Sequence, residues 1–234
     1  MKQIQKILSV IMMFLLVGVL LLTSFQVAIY GDSQYRFYER EYKKYDVADS
    51  LDMKMDDIMD VTDQMMAYLI GKKAELSVIT DVDGETQDFF NEQDRFHMGE
   101  VKDLFLGGLK IRNVLFAVIV LMLILLLVWK ADLKNMLPRA YFIALGISGA
   151  ITIVLGGLFA SDFDKYFRIF HEIFFDNDQW MFDPATDYMI RMLPEGFFYD
   201  FVFRIGTFFV GSLVVLGIAA GVCMYREKQK RKVK

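Results

Sequence analysis

Four apolar runs divide this sequence, and their length decides the fold class. They cover roughly residues 7–30, 114–129, 140–160 and 201–225. Crossing a hydrocarbon layer of about 30 Å takes roughly 20 helical residues. The second run is short, but Leu109 and Ile111 extend it outward. No Asp, Glu or Lys interrupts any of the four, and Arg204 lies near one end of the last, where it can snorkel to the interface. The pattern predicts a mainly α membrane protein with four transmembrane helices. Met1–Lys6 looks like the basic start of a signal peptide. The apolar stretch after it is too long for one and no A-x-A-like site precedes Gly31, so the run reads as an uncleaved anchor.

Between the spans the periodicity changes. Val47, Leu51, Met55, Ile58, Val61, Met65 and Leu69 recur at helical spacing over Asp46–Ile70, with acids on the opposite side. Membrane-surface helices carry Lys or Arg on that side, so this helix is expected to pack against its own domain. Leu76–Val82 is rich in β-branched residues and runs into an Asp83-Gly84 turn signal, which predicts a short hairpin. The string Asp81-Val82-Asp83-Gly84 also faintly suggests a calcium loop, but lacks the alternating ligands and closing Glu of an EF-hand. From about Asp94 a second helix places His97, Val101, Leu104, Phe105 and Gly108 on one face. Later, His171 has Phe167, Phe174 and Phe175 at helical neighbour positions. Asp183 followed by Pro184 predicts a short helix, with Asp183 as N-cap and Pro184 in the first turn, ending near Leu193 because Pro194 follows.

The sequence therefore divides into residues 1–30 (cytoplasmic N-terminus and first span), 31–112 (a small extracellular α+β cap), 113–130 (second span), 131–139 (cytoplasmic loop), 140–160 (third span), 161–200 (extracellular interfacial segment), 201–225 (fourth span) and 226–234 (basic cytoplasmic tail). Composition agrees: 55% of residues are hydrophobic and the mean hydropathy is +0.35. Charge sets the orientation. Lys2 and Lys6, then Lys130, Lys134 and Arg139, then Arg226, Lys228, Lys230, Arg231, Lys232 and Lys234 mark the inner segments. Residues 31–112 and 161–200 together hold 14 Lys and Arg against 28 Asp and Glu, a net of about −14, although the whole chain is only −4. Such a surface argues against nucleic acid and against charge-driven docking on anionic lipid. The single cysteine, Cys223, excludes a disulfide within the chain and reads as a small apolar packing residue.

Candidate chemistry is sparse. The two histidines, His97 and His171, fall one in each outer segment. Each is either a hydrogen-bonded structural imidazole or a general base near neutral pH. His171-Glu172 begins an H-E-x-x-H zinc motif, but position 175 is Phe. There is no G-x-S-x-G elbow and no Gly-rich phosphate loop. Gly107-Gly108 and Gly156-Gly157 suit helix packing. The midplane of the spans carries no ionisable group, which disfavours a transporter.

Two stretches carry a family resemblance. FHEIFFDNDQWMFDPATDYMIRMLPEGFF, residues 170–198, closely resembles the signature of the lipoprotein intramolecular transacylases, and FNEQDRFHMGEVKDLF, residues 90–105, resembles their other marked segment. The family has Asp where this chain has Glu100. The resemblance implies four transmembrane helices under an extracellular cap, with His97 and His171 as catalytic residues where cap meets membrane. It also implies a reaction: the sn-2 acyl chain of a diacylglyceryl-cysteine lipoprotein moves to the α-amine of the same cysteine, giving an N-acylated lyso form. Closure runs through a ring of about eight atoms, so orientation by a confined pocket carries much of the catalysis. The substrate's own amine attacks, so no enzyme nucleophile, metal or cofactor is expected. Phe174, Phe175 and Trp180 are candidate pocket walls. Asp183, Asp187 and Arg191 are candidates to orient a histidine or the substrate, with capping and salt bridging as the competing roles. The expected partners are diacylated bacterial lipoproteins and membrane lipid, and the expected site is the outer leaflet of the bacterial cytoplasmic membrane. The competing reading is a non-catalytic membrane protein whose cap is a sensor or assembly module.

Overall fold

A computed structural model describes residues 2–232. Met1 and Lys234, assigned above to the terminal segments, lie outside them. The chain forms two compact units. The first is built from the chain up to Gln26, from Leu109–Ser161 and from Ile205 onward.

Four helices supply this first unit: α1 (Lys2–Tyr30), α5 (Glu92–Val128), α6 (Leu133–Ser161) and α9 (Glu195–Lys232). Each contains a stretch long and apolar enough to cross a membrane. Met12, Met13, Val17, Leu126, Ala140, Tyr141, Ala144, Phe209 and Leu213 fill its interior. Ile153, Val215 and Ile218 point outward, as hydrocarbon permits only when backbone polar groups are bonded inside the helix. Buried side-chain polar atoms follow the same rule. The Tyr141 hydroxyl donates to the Leu213 carbonyl at 2.5 Å, Gln5 Nε2 to the Trp129 carbonyl at 3.1 Å, and Ser9 back to the Gln5 carbonyl at 2.8 Å. Lys130, with φ of 50°, stops α5.

The second unit comprises Val27–Gly108 and Asp162–Arg204. It holds α2 (Arg36–Lys44), α3 (Val47–Leu51), α4 (Met55–Leu69), the strands β1 (Ile79–Val82) and β2 (Glu85–Asp88), α7 (Phe163–Phe174) and α8 (Tyr188–Met192). It also takes in the ends of the long helices, including residues 92–108 of α5. Tyr42, Val47, Leu51, Ile58, Val61, Met65, Val82, Phe89, Phe90 and Met192 form its core. The fold is thus mainly α and membrane-spanning, with one small sheet among the described residues.

The hairpin forms where the turn signal stands. Ile79 pairs with Asp88 and Val82 with Glu85, across Asp83 and Gly84 at φ of 50° and 78°. Two positive φ values in a two-residue loop match the right-handed twist of the strands. The acidic string there is committed to protein partners: Thr86 donates to Asp81, and Arg191 to Asp83.

Four helical expectations need correction. The helix expected over Asp46–Ile70 is two, α3 and α4. Asp52 adopts φ of 47°, and Met53 N–H closes back on the Ala48 carbonyl at 3.0 Å. The apolar face survives the break, because Val47, Leu51, Ile58, Val61, Met65 and Leu69 are all buried. Leu104, expected beside His97, faces outward, whereas Met98 is buried. Residues 161–200 were expected to hold one short helix; they hold α7, α8 and the start of α9. Finally, no helix starts at Asp183-Pro184. The Asp183 carboxylate takes the Ala185 N–H and its carbonyl takes those of Thr186 and Asp187, which closes a turn instead. The helix begins at Tyr188, after Asp187, and ends before Pro194.

Candidate active site

His97 lies in the first two turns of α5 and His171 in the last turn of α7. Both belong to the second unit, and both are nearly enclosed, at 6% and 7% exposure. Their ring centroids are 5.9 Å apart, with planes tilted by 32°.

Aromatic rings supply most of the enclosure. Phe175 sits 4.9 Å from His97 and 5.5 Å from His171, so it borders both. Phe182 packs edge-on against His97 at 5.5 Å, and Trp180 lies over His171 at 4.9 Å. Phe167 approaches His171 most closely, at 4.3 Å. A cavity of about 400 Å³, lined in part by Arg168, Glu172, Phe175, Asn177 and Trp180, opens beside this wall.

A hydrogen bond orients His171. His171 Nδ1 bonds the Phe167 carbonyl at 2.8 Å. A carbonyl only accepts, so Nδ1 carries the proton and neutral His171 keeps its lone pair on Nε2. His97 Nδ1 faces Glu100 Oε2 at 3.8 Å, and the other Glu100 oxygen accepts from Asn177 Nδ2 at 2.7 Å. Burial, then the neighbouring His171, pushes His97 down to about 4. Burial also lowers His171, partly offset by the bond to Phe167. Both rings are therefore neutral at pH 7 and able to accept a proton.

Residues 175–187 carry much of the wall without regular structure, so side chains of α5 and the residue before it hold them. Gln93 Nε2 donates to the carbonyls of Gln179 and Met181, both at 3.1 Å. Asn91 donates to the Asp187 carboxylate. Asn91 and Asp94 each accept the other's backbone N–H at 2.9 Å, which caps the start of α5. Asp94 is fully buried, and burial raises its carboxyl to about 6.

The residues singled out from the sequence end in different places. His97, His171, Phe175 and Trp180 come together. Phe174 is half exposed and packs on Phe170 at 4.7 Å. Asp183 organises its turn. Asp187 accepts from Asp183 N–H at 2.8 Å and from Asn91. Arg191 pairs bidentately with Asp83, at 2.7 and 2.9 Å. Phe182 and Asn177 escaped the sequence reading because both lie in irregular chain, where periodicity is silent. Both fall within the 170–198 stretch that carries the family resemblance, which by itself does not single them out. Among the described residues no group of three His, Cys, Asp or Glu side chains is placed to hold a metal ion.

Comparison with known proteins gives the family. The chain matches three structures of the membrane integral lipoprotein intramolecular transacylase Lit from Bacillus cereus. One shares 22% identity over 98% of this chain and 100% of that one, with a TM-score of 0.79. The other two carry His-to-Arg and His-to-Ala substitutions. They share 22% and 23% identity over 99% and 98% of this chain and 96% of theirs, with TM-scores of 0.71 and 0.72. No curated protein sequence matches. The model of the family described as lipoprotein intramolecular transacylase Lit matches residues 10–198, so this chain belongs to that family of acyltransferases.

Proposed function

We propose that this protein moves the sn-2 acyl chain of a diacylglyceryl-cysteine lipoprotein to the α-amine of that cysteine, releasing an N-acylated lyso lipoprotein. The observation that carries this reading is the buried pair of imidazoles, 5.9 Å apart within an aromatic wall.

Acyl transfer from ester to ammonium needs two proton acceptors. His97 takes one proton from the ammonium. The freed amine attacks the ester carbonyl, and the His97 imidazolium faces the oxyanion that forms. His171 Nε2 then takes a proton from the attacking nitrogen and returns it to the glyceryl oxygen as the C–O bond breaks. The amide keeps one N–H, the glyceryl hydroxyl gains one proton, and His97 sheds the last to solvent, aided by its low proton affinity. His171 suits the shuttle because its Nδ1 stays bonded to Phe167 while Nε2 alone gains and loses the proton. Phe175 and Trp180 wall the reacting atoms. A confined geometry favours the ring of about eight atoms that the transfer requires.

The positive-inside bias supports cytoplasmic termini, with residues 31–112 and 161–200 outside and the histidines serving the outer leaflet. The test is co-expression with a diacylated lipoprotein in cells unable to N-acylate, followed by fragmentation of its N-terminal peptide in tandem mass spectrometry. Intact mass is uninformative, since an internal transfer leaves it unchanged. Fragments showing one amide-linked and one glyceryl-linked chain, lost in His97→Ala and His171→Ala at normal abundance, support the reaction. A free amine with both chains on glycerol, from folded wild type, refutes it and favours a non-catalytic cap.

A further inference from the structure

Two buried polar atoms face each other without a hydrogen bond. His97 Nδ1 and Glu100 Oε2 are both inaccessible to solvent, neither has a hydrogen-bond partner among the described residues, and they stand 3.8 Å apart. Leaving two such atoms unpaired is costly. They nonetheless point at one another because the carboxylate is held from behind: Asn177 Nδ2 donates to Glu100 Oε1 at 2.7 Å. Without that bond Glu100, one turn along α5 from His97, is free to swing towards solvent.

We propose that Glu100 is the positioning residue of His97, aimed by Asn177, and that it fixes the ring's tautomer and balances its charge once protonated. The proposal rests on the reaction assigned above. An ionised carboxylate only accepts, so it favours the proton on Nδ1 and leaves the lone pair on Nε2, the atom that meets the substrate. The gap is about 0.6 Å beyond hydrogen-bond range, and catalytic bonds of this kind tighten when substrate binds. When His97 takes the ammonium proton, the new cation is nearly enclosed and needs a counter-charge. The titratable groups facing it are Glu100 on its own helix and His171 on α7, while the 175–187 segment presents Phe175 and Phe182. Glu100 is the one of these with negative charge. Asn177 lies in that segment near Trp180, so the aromatic wall and the aim of the base are set together.

The chain has two histidines, so ¹⁵N-histidine labelling of the full-length protein in detergent reads both rings by NMR. The expected result is His97 as the Nδ1–H tautomer, shifting to a mixture in Glu100→Gln with His171 unchanged. Turnover of a diacylated lipopeptide should fall at least roughly tenfold in kcat, with KM moving less, the lower bound being the usual cost of losing a group that orients a functional histidine. Asn177→Ala should give the same changes, smaller. Glu100→Gln/Asn177→Ala should be no worse than Glu100→Gln alone, since Asn177 acts only through Glu100. A wild-type His97 carrying its proton on Nε2, or a tautomer and kcat that ignore Glu100→Gln, overturns the proposal. Should Glu100→Gln fail to fold, Asn177→Ala carries the same two readouts. A responsive tautomer with no acyl transfer by wild type refutes the reaction, and with it the catalytic use of a contact that would itself stand.

Discussion

His171 and Phe167, one helical turn apart in α7, are joined by an Nδ1–carbonyl hydrogen bond of 2.8 Å. That bond leaves Nε2 as the site of proton exchange, and burial sets its affinity. Enclosure lowers His171 and pushes His97 down to about 4, whereas a solvated imidazole titrates near about 6.5. The kcat/KM of acyl transfer should accordingly hold its value as pH falls through 6.5 and decline only as the rings protonate, towards pH 4 for His97. A kcat/KM profile in detergent between about pH 4 and 8 checks this. An acid limb centred near about 6.5 would mean that a solvated imidazole does the work.

Asp94 titrates in the opposite sense. Its folded-state value is raised to about 6 from an ordinary 3.8, so the fold favours the protonated carboxyl. The associated stability is fully present below about 3.8 and is lost as pH rises through 6. Asp94→Asn, which cannot ionise, should therefore gain on wild type by up to about 3 kcal/mol as pH is raised from about 4 to 8. The histidines impose the reverse slope, because unfolded rings protonate below about 6.5 while folded ones resist. Comparing melting temperatures of wild type and Asp94→Asn across that range isolates the carboxyl, and parallel curves would show that Asp94 titrates normally.

Where backbone chemistry is local, the sequence told the fold. The hairpin was legible because Asp83-Gly84 supplies the two positive φ values that its turn demands. Apolar positions of α3 and α4 were legible too, although the break between them was not. Asp52 in the left-handed region follows from closure of α3 against the core, which no window of residues reveals. The Asp183-Pro184 start failed for a comparable reason. Asp187 bonds the Asp183 N–H and Asn91, so a partner distant in sequence outweighs a capping preference worth about 1 kcal/mol. At the site, chemistry named the two histidines and helical spacing placed aromatic neighbours around His171. Phe182 and Asn177 depend on how residues 175–187 fold back, and periodicity carries no information there.

Arg191 joins the hairpin to α8. Its guanidinium binds the Asp83 carboxylate bidentately and donates to the Ser50 carbonyl. A planar fork makes this arrangement and an ammonium does not, so Arg191→Lys should behave much as Arg191→Ala. Both should lower stability by about 1–3 kcal/mol, read as an earlier thermal transition. A collapse of turnover with an unchanged transition would instead put the guanidinium on substrate.

Gly196, in the first turn of α9, is required by a neighbouring ring rather than by its own φ. A Cβ there would lie 2.5 Å from Tyr45 Cζ and 2.6 Å from its hydroxyl oxygen. The ring has little freedom to retreat, because the Tyr45 hydroxyl donates to Asp200 Oδ2 at 2.6 Å and Lys44 pairs with the same carboxylate. Gly196→Ala should therefore destabilise by about 1–3 kcal/mol, the usual cost of overpacking. Gly206 is the control: a Cβ added there would meet nothing within 4 Å, and Gly206→Ala should be neutral or mildly stabilising through helix propensity. Removing the ring with Tyr45→Ala should make Gly196→Ala nearly silent in the double variant, a coupling that melting curves of the four proteins measure. Additive losses would show that the ring and the glycine do not meet.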